Sequence, residues 1–97
     1  MSEQRRSQAL SEEEHTYLVA LGERIRAIRQ ERNLRMEEFA DLAGIHRTHL
    51  WKIEKGQLNA GIVSYYRLAQ QLGLPLGSLF PTNELSSQSE GVSVEET

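Results

Sequence analysis

Apolar residues recur along this chain at helical spacing. Leu18, Leu21, Ile25 and Ile28 are separated by 3, 4 and 3 positions, which places them on one stripe of an α-helix. Ahead of them, Ser11-Glu12-Glu13-Glu14 has the form of a capping box, in which Ser11 accepts from first-turn amides and Glu14 reaches back. The carboxylates also suit the positive end of the helix dipole. The pattern predicts a first helix from Ser11 to Arg32, ended at Asn33, which tolerates left-handed backbone. Gly22 offers an alternative break, because glycine is unfavourable inside a helix.

Four further segments follow. Met36 to Ala43 fits a second helix, with Phe39, Ala40 and Ala43 inward and Gly44 as its stop. His46 to Lys55 fits a third, stopped by Gly56. Ile62 to Leu72 fits a fourth, capped at Gly61, with Ile62, Tyr65, Leu68, Ala69 and Leu72 as its stripe and Gly73 as its end. Pro75 sits where a first-turn proline is tolerated, and Leu76, Leu79 and Phe80 suggest a short fifth helix closed by Pro81. No strand pattern and no internal repeat is present. The expectation is an all-α, five-helix domain over residues 11–81. A disordered N-terminus is expected over residues 1–10 and a disordered acidic tail over residues 82–97, where Ser, Glu, Gln and Thr dominate.

Composition narrows the class. The 97 residues are one domain's worth of chain. An apolar share of 38% with 26% charged residues is that of a soluble globular protein, and excludes collagen, rod-like coiled coil and wholly disordered chains. The longest apolar run, Leu18 to Leu21, is far below the roughly 20 residues of a membrane span. The charged start of the chain has no secretory signal pattern, so a cytoplasmic location is expected. The absence of cysteine removes disulfides and thiolate zinc sites.

The net charge of −3 argues against a nucleic-acid partner until the charges are located. Glu84, Glu90, Glu95 and Glu96 fall in the last 16 residues, which hold no base, and without them 11 basic residues face 10 acidic ones. From Arg47 to Arg67 four bases face a single acid, Glu54. Local balance governs phosphate attraction, because charges are screened over about 10 Å at 0.1 M salt.

Phe39 to Gly56 holds the informative motif, a helix, a glycine turn and a second helix, which leaves one face of the second exposed. At about 100° per residue, taking Leu50 and Ile53 as the inward side turns Thr48, Trp51, Lys52 and Lys55 outward. Arg47 flanks that face from the first turn, and Glu54 turns back toward the body. Arginine can grip the guanine O6/N7 edge and threonine can meet a thymine methyl, while lysines neutralise phosphates. A solvated basic helix face is the plainer explanation of the same pattern.

Residues Gly22 to Phe80 resemble the lambda-repressor-like, Cro/Xre-type helix-turn-helix family. The resemblance rests on Ile25-Arg26-Ala27-Ile28-Arg29, Glu37-Glu38-Phe39-Ala40, Ala43-Gly44-Ile45, Arg47-Thr48-His49-Leu50, Ile53-Glu54-Lys55-Gly56 and Leu68-Ala69-Gln70-Gln71-Leu72-Gly73, followed by Leu79-Phe80. Arg47-Thr48-His49-Leu50 is similar to restriction–modification controller proteins and to phage-type repressors. The resemblance implies a DNA-binding regulator, a homodimer acting as a repressor on a palindromic operator of double-stranded DNA. It implies base contacts from Arg47, Thr48, Trp51 and Lys52, and phosphate contacts from Lys55, Gln57 and Asn59; Arg35 and His46, by their own chemistry, add to the phosphate set. It also implies an internal ion pair between Arg29 and Glu54, with no cofactor and no metal.

Three positions depart from the family pattern. Arg35 and Met36 replace the usual Ser/Thr-Gln at the start of helix 2, so the expected side-chain cap is lost, at a cost of about 1 kcal/mol. His46 stands where a small hydroxyl residue normally caps helix 3. Trp51 replaces a small polar residue, and suits either a base contact or a protein-contact anchor.

No catalytic spacing, glycine-rich phosphate loop or paired carboxylates suggests an enzyme. His46 and His49 lack a third metal ligand, and contact with phosphate or base edges suits them better. Two other binding functions use this fold, an antitoxin and a protein-contact adaptor. Residues 1–21 and 82–97 are the places such a protein partner would use.

Overall fold

The computed structural model describes residues 9–82. The segments expected to be disordered, other than the residues at their inner ends, lie outside this range. Four α-helices and a short 3₁₀ turn account for the described residues: α1 (Glu12–Glu31), α2 (Met36–Ala43), α3 (Arg47–Glu54), α4 (Ile62–Leu72) and the 3₁₀ turn (Leu76–Leu79). The all-α class stands. The fifth element is corrected from an α-helix to a 3₁₀ turn, because four residues between Pro75 and Phe80 are too few for regular i→i+4 bonding.

The capping box of α1 is complete. The Glu14 N–H donates to Ser11 Oγ at 3.0 Å, and the Ser11 N–H donates to Glu14 Oε1 at 2.9 Å. The helix then runs through Gly22 without a break. A Cβ at Gly22 would lie 2.4 Å from the Ile53 carbonyl oxygen and 2.5 Å from that of Glu54. Glycine is used here for close approach, so α1 lies directly against the C-terminal end of α3.

Each helix stops in the same way. After α2, the Gly44 N–H donates to the Asp41 carbonyl at 3.1 Å and the Ile45 N–H to the Ala40 carbonyl at 3.0 Å. This pairing requires left-handed backbone within the first two residues past the helix. Gly44 supplies it at φ 72°, and Asn33 supplies it after α1 at φ 58°. Equivalent pairs of bonds follow α3 and α4.

The core gathers where all elements meet. Ile25, Phe39, Leu50, Ile53, Leu68 and Leu79 are its most fully buried large side chains. Helix α1 packs on α3, α2 on both α3 and α4, and the 3₁₀ turn on α4 and α1. Arg24 ties α1 to that turn, donating from Nε to the Ser78 carbonyl at 2.8 Å. Ala40, buried at the α2 contact, lets the backbones approach as its small size suggests.

Gly22→Ala tests the close approach. Helix propensity alone would favour alanine by about 1 kcal/mol. The clash with two backbone carbonyls outweighs it, since overpacking costs about 1–3 kcal/mol or more. The melting temperature should fall by roughly 5–15 °C. An unchanged or raised value in thermal unfolding would contradict the packing described.

Candidate nucleic-acid interface

Helix α3 has two sides with opposite chemistry. Its inner side buries Leu50, Ile53 and Glu54. The Glu54 carboxylate meets Arg29 of α1 in a two-pronged pair, with Nε donating to Oε2 at 2.7 Å and Nη2 to Oε1 at 3.0 Å. Arg29 Nη1 donates to the Leu34 carbonyl at 2.8 Å. One guanidinium thus joins α1, the α1–α2 connection and the end of α3. The buried pair foreseen between Arg29 and Glu54 is present.

The outer side of α3 exposes Arg47, Thr48, Trp51 and Lys52. Arg47, Thr48 and Trp51 line an open depression of about 230 Å³. Trp51 is 42% exposed, and the Lys55 ammonium lies 5.8 Å from the centre of its ring, within cation–π range. Lys55 is the C-cap of α3, so its charge also favours the negative end of the helix dipole. Arg47 is not free of partners. Its Nε lies 3.8 Å from Glu37 Oε2 on α2.

The residues suggested for phosphate contact flank this face. His46 is the N-cap of α3, and its Nδ1 accepts a long hydrogen bond from the Thr48 N–H at 3.4 Å. The imidazole thus sits at the N-terminus of α3, beside the exposed face. Arg35 is the N-cap of α2 and exposed. Its side chain provides no cap, as expected, but its N–H donates to Glu38 Oε1 at 3.2 Å. The reciprocal half of a capping box is therefore present without the side-chain half.

Gln57 and Asn59 are exposed in the connection after α3. Two contacts hold that connection. A Cβ at Gly56 would lie 2.6 Å from Val19 Cα, and Gly56 has φ 72°, so α1 packs directly beneath the turn. Further on, the Ala60 N–H donates to the Tyr65 hydroxyl at 3.3 Å. Burial pushes the Tyr65 phenol above its ordinary range, against a smaller opposing effect of the Ala60 N–H. The neutral phenol is the form the fold favours. Its stabilising effect is complete below the unfolded value of about 10 and is lost as pH rises through the folded one.

His49 does not follow His46 to the surface. It is half-buried, and its Nε2 is closed off without a hydrogen-bond partner among the described residues. That nitrogen cannot meet a phosphate or base edge in this conformation, which corrects the reading given to the histidine pair. Glu37, Val19 and Tyr65 were absent from the sequence-based site. Glu37 is ten positions before Arg47 and Val19 is 37 before Gly56, and no local spacing rule links such residues.

A packed helix pair with a tight turn between, a buried anchor on one side of the second helix and basic side chains, a hydroxyl and an indole on the other is the architecture of a helix-turn-helix protein. Residues 22–85 match a helix-turn-helix domain profile, and the chain belongs to the helix-turn-helix family of DNA-binding transcriptional regulators, of Cro/Xre type. It is 28% identical over 68 residues to the control protein C.SmaI of Serratia marcescens, a match covering 70% of this chain and 81% of that protein. Among solved structures, it is similar to the restriction-modification controller protein C.AhdI from Aeromonas hydrophila. That match has a TM-score of 0.64 and 35% identity, and covers 65% of this chain and 96% of the other. A hypothetical transcription factor, NHTF, from Neisseria shares the fold at TM-score 0.66 and 21% identity, over 82% of this chain and 92% of that one. Among the described residues, no helix is long and apolar enough to cross a membrane.

Breaking the Arg29–Glu54 pair should act on folding before it acts on any surface. Glu54→Ala leaves a buried guanidinium uncompensated and should cost about 3–5 kcal/mol, read by urea unfolding. A variant that unfolds at the wild-type urea concentration while failing to bind DNA would contradict a structural role.

Proposed function

We propose that this protein is a sequence-specific regulator that binds a palindromic operator as a homodimer, placing α3 in the major groove. The observation that carries the reading is the two-sidedness of α3. The side held by Leu50, Ile53 and Glu54 fixes the helix, while the opposite side presents Lys52 and, around one open depression, Arg47, Thr48 and Trp51. The working unit is residues 11–81, and its place of action is the cytoplasm.

Arg47 donates its paired N–H groups to a guanine O6/N7 edge, and Thr48 meets a neighbouring thymine methyl or base edge. Trp51 packs its indole on thymine methyls or sugars. Lys52 reaches from the middle of the helix to a base edge. Arg35, His46, Lys55, Gln57 and Asn59 contact phosphates on either side and set the register. The two caps support this division, because each puts a donor side chain beside a helix N-terminus, where anions are favoured.

Dimerisation is supported by a patch on α4. Ile62, Val63 and Tyr66 are 59%, 56% and 50% exposed and fall within about 100° of one another around the helix. A two-fold pairing of this patch would present two α3 helices to successive half-sites, about 34 Å apart. Regulation follows from operator occupancy, in the sense of repression. Similarity to two control proteins, C.SmaI and C.AhdI, supports a controller of this kind.

Selection from random duplex DNA at about 150 mM salt should enrich a palindrome. Arg47→Ala should lose about 1–3 kcal/mol on it and relax one position in each half-site. Uniform weakening on all sequences, or no enrichment by the folded wild type, would count against the base-reading role. Lys55→Ala should weaken binding to every duplex and reduce the slope of log affinity against log salt by about 0.9. An unchanged slope would remove Lys55 from the phosphate set. Ile62→Glu should shift sedimentation toward the monomer, and an unaltered dimer would exclude the α4 patch.

A further inference from the structure

Arg47 is the first residue of α3, and Glu37 is the second residue of α2. Packing of the two helices brings the Glu37 carboxylate within 3.8 Å of Arg47 Nε, with both side chains mostly exposed. This places an acid beside the outer face of α3, whose own charged residues, Arg47, Lys52 and Lys55, are all basic. A carboxylate beside a phosphate-binding face repels DNA, so its placement needs a compensating effect.

We propose that Glu37 is a specificity-determining positioning residue, which holds the Arg47 guanidinium for a base edge and keeps it from a phosphate. The inference rests on the DNA-reading role of Arg47 proposed above. An unrestrained arginine samples many rotamers and pairs with any nearby phosphate. Glu37 approaches it from the Nε side, and among the described residues no hydrogen bond occupies the Nη1/Nη2 end. That end matches the two acceptors of guanine, O6 and N7. The carboxylate simultaneously disfavours phosphates near Arg47, which weakens sequence-independent binding. One residue thus lowers affinity for all DNA while raising the contrast between the right and wrong base.

A purely structural role makes a different forecast. Glu37 lies in the first turn of α2, where any carboxylate stabilises the helix through its dipole. Glu37→Asp keeps that charge but shortens the reach to Arg47, whereas Glu37→Gln keeps the length and removes the charge. The test measures the wild type and both variants on three duplexes: the selected operator, the operator with the Arg47-dependent guanine pair exchanged, and an unrelated sequence. Melting temperatures are measured in parallel.

Glu37→Gln should bind the unrelated duplex about two- to five-fold more tightly and lose a similar factor of discrimination at the guanine, as expected for one exposed ion pair. Glu37→Asp should also lose discrimination without the gain on unrelated DNA. Wild-type discrimination retained in both variants would overturn the inference, whatever happens to their melting temperatures, and would leave the DNA-reading role of Arg47 standing. Absence of any sequence preference in the wild type would remove that role, and the inference with it.

Discussion

The carboxylate of Glu54 is buried on the inner side of a helix whose outer side is exposed, and the structure depends on how that charge is held. Arg29 meets it with two hydrogen bonds and spends a third on the Leu34 carbonyl. A buried ion pair of this kind is weak as a source of net stability, because desolvation offsets most of the attraction. Its consequence is geometric. With both carboxylate oxygens satisfied, α3 is turned so that Arg47, Thr48, Trp51 and Lys52 face outward. Gly22 makes the arrangement possible by letting α1 approach the carbonyls of Ile53 and Glu54.

The first helix therefore does more than cover the core. Its middle holds the base of α3 through Gly22 and Arg29, and Val19, one turn earlier, lies under Gly56. The connection after α3 is held from the other end by the Tyr65 hydroxyl. These two contacts anchor the connection that carries Gln57 and Asn59 at both ends. The outer face is also organised before any partner arrives. Lys55 rests over Trp51, and Arg47 is paired with Glu37. Both are weak, exposed contacts.

Much of this was legible in the residues. The bounds of α2 and α4 follow from Gly44 and Gly73, because a left-handed residue at the helix end is a local requirement that glycine meets. The start of α1 follows from Ser11 and Glu14, which are three residues apart. The inward direction of Glu54 follows from its angle to Leu50 and Ile53. The short segment at Leu76–Leu79 was less legible, since a 3₁₀ turn and one turn of α-helix bury apolar residues at nearly the same spacing. Gly22 was ambiguous because a helix-breaking glycine and a close-packing glycine look identical in sequence. The pairing of Glu37 with Arg47 and the enclosed Nε2 of His49 were not legible at all. Both depend on the angle at which α2 crosses α3, and no single helix contains that information.

The central claim is that the outer face of α3 is the DNA-reading surface, and amide chemical-shift mapping with a selected duplex tests it most directly. The account predicts that the largest changes fall on Arg47, Thr48, Trp51 and Lys52. Smaller ones should appear at Arg35, His46, Lys55, Gln57 and Asn59. Changes concentrated on the N-terminal half of α1, with α3 unaffected while the duplex is bound, would contradict it.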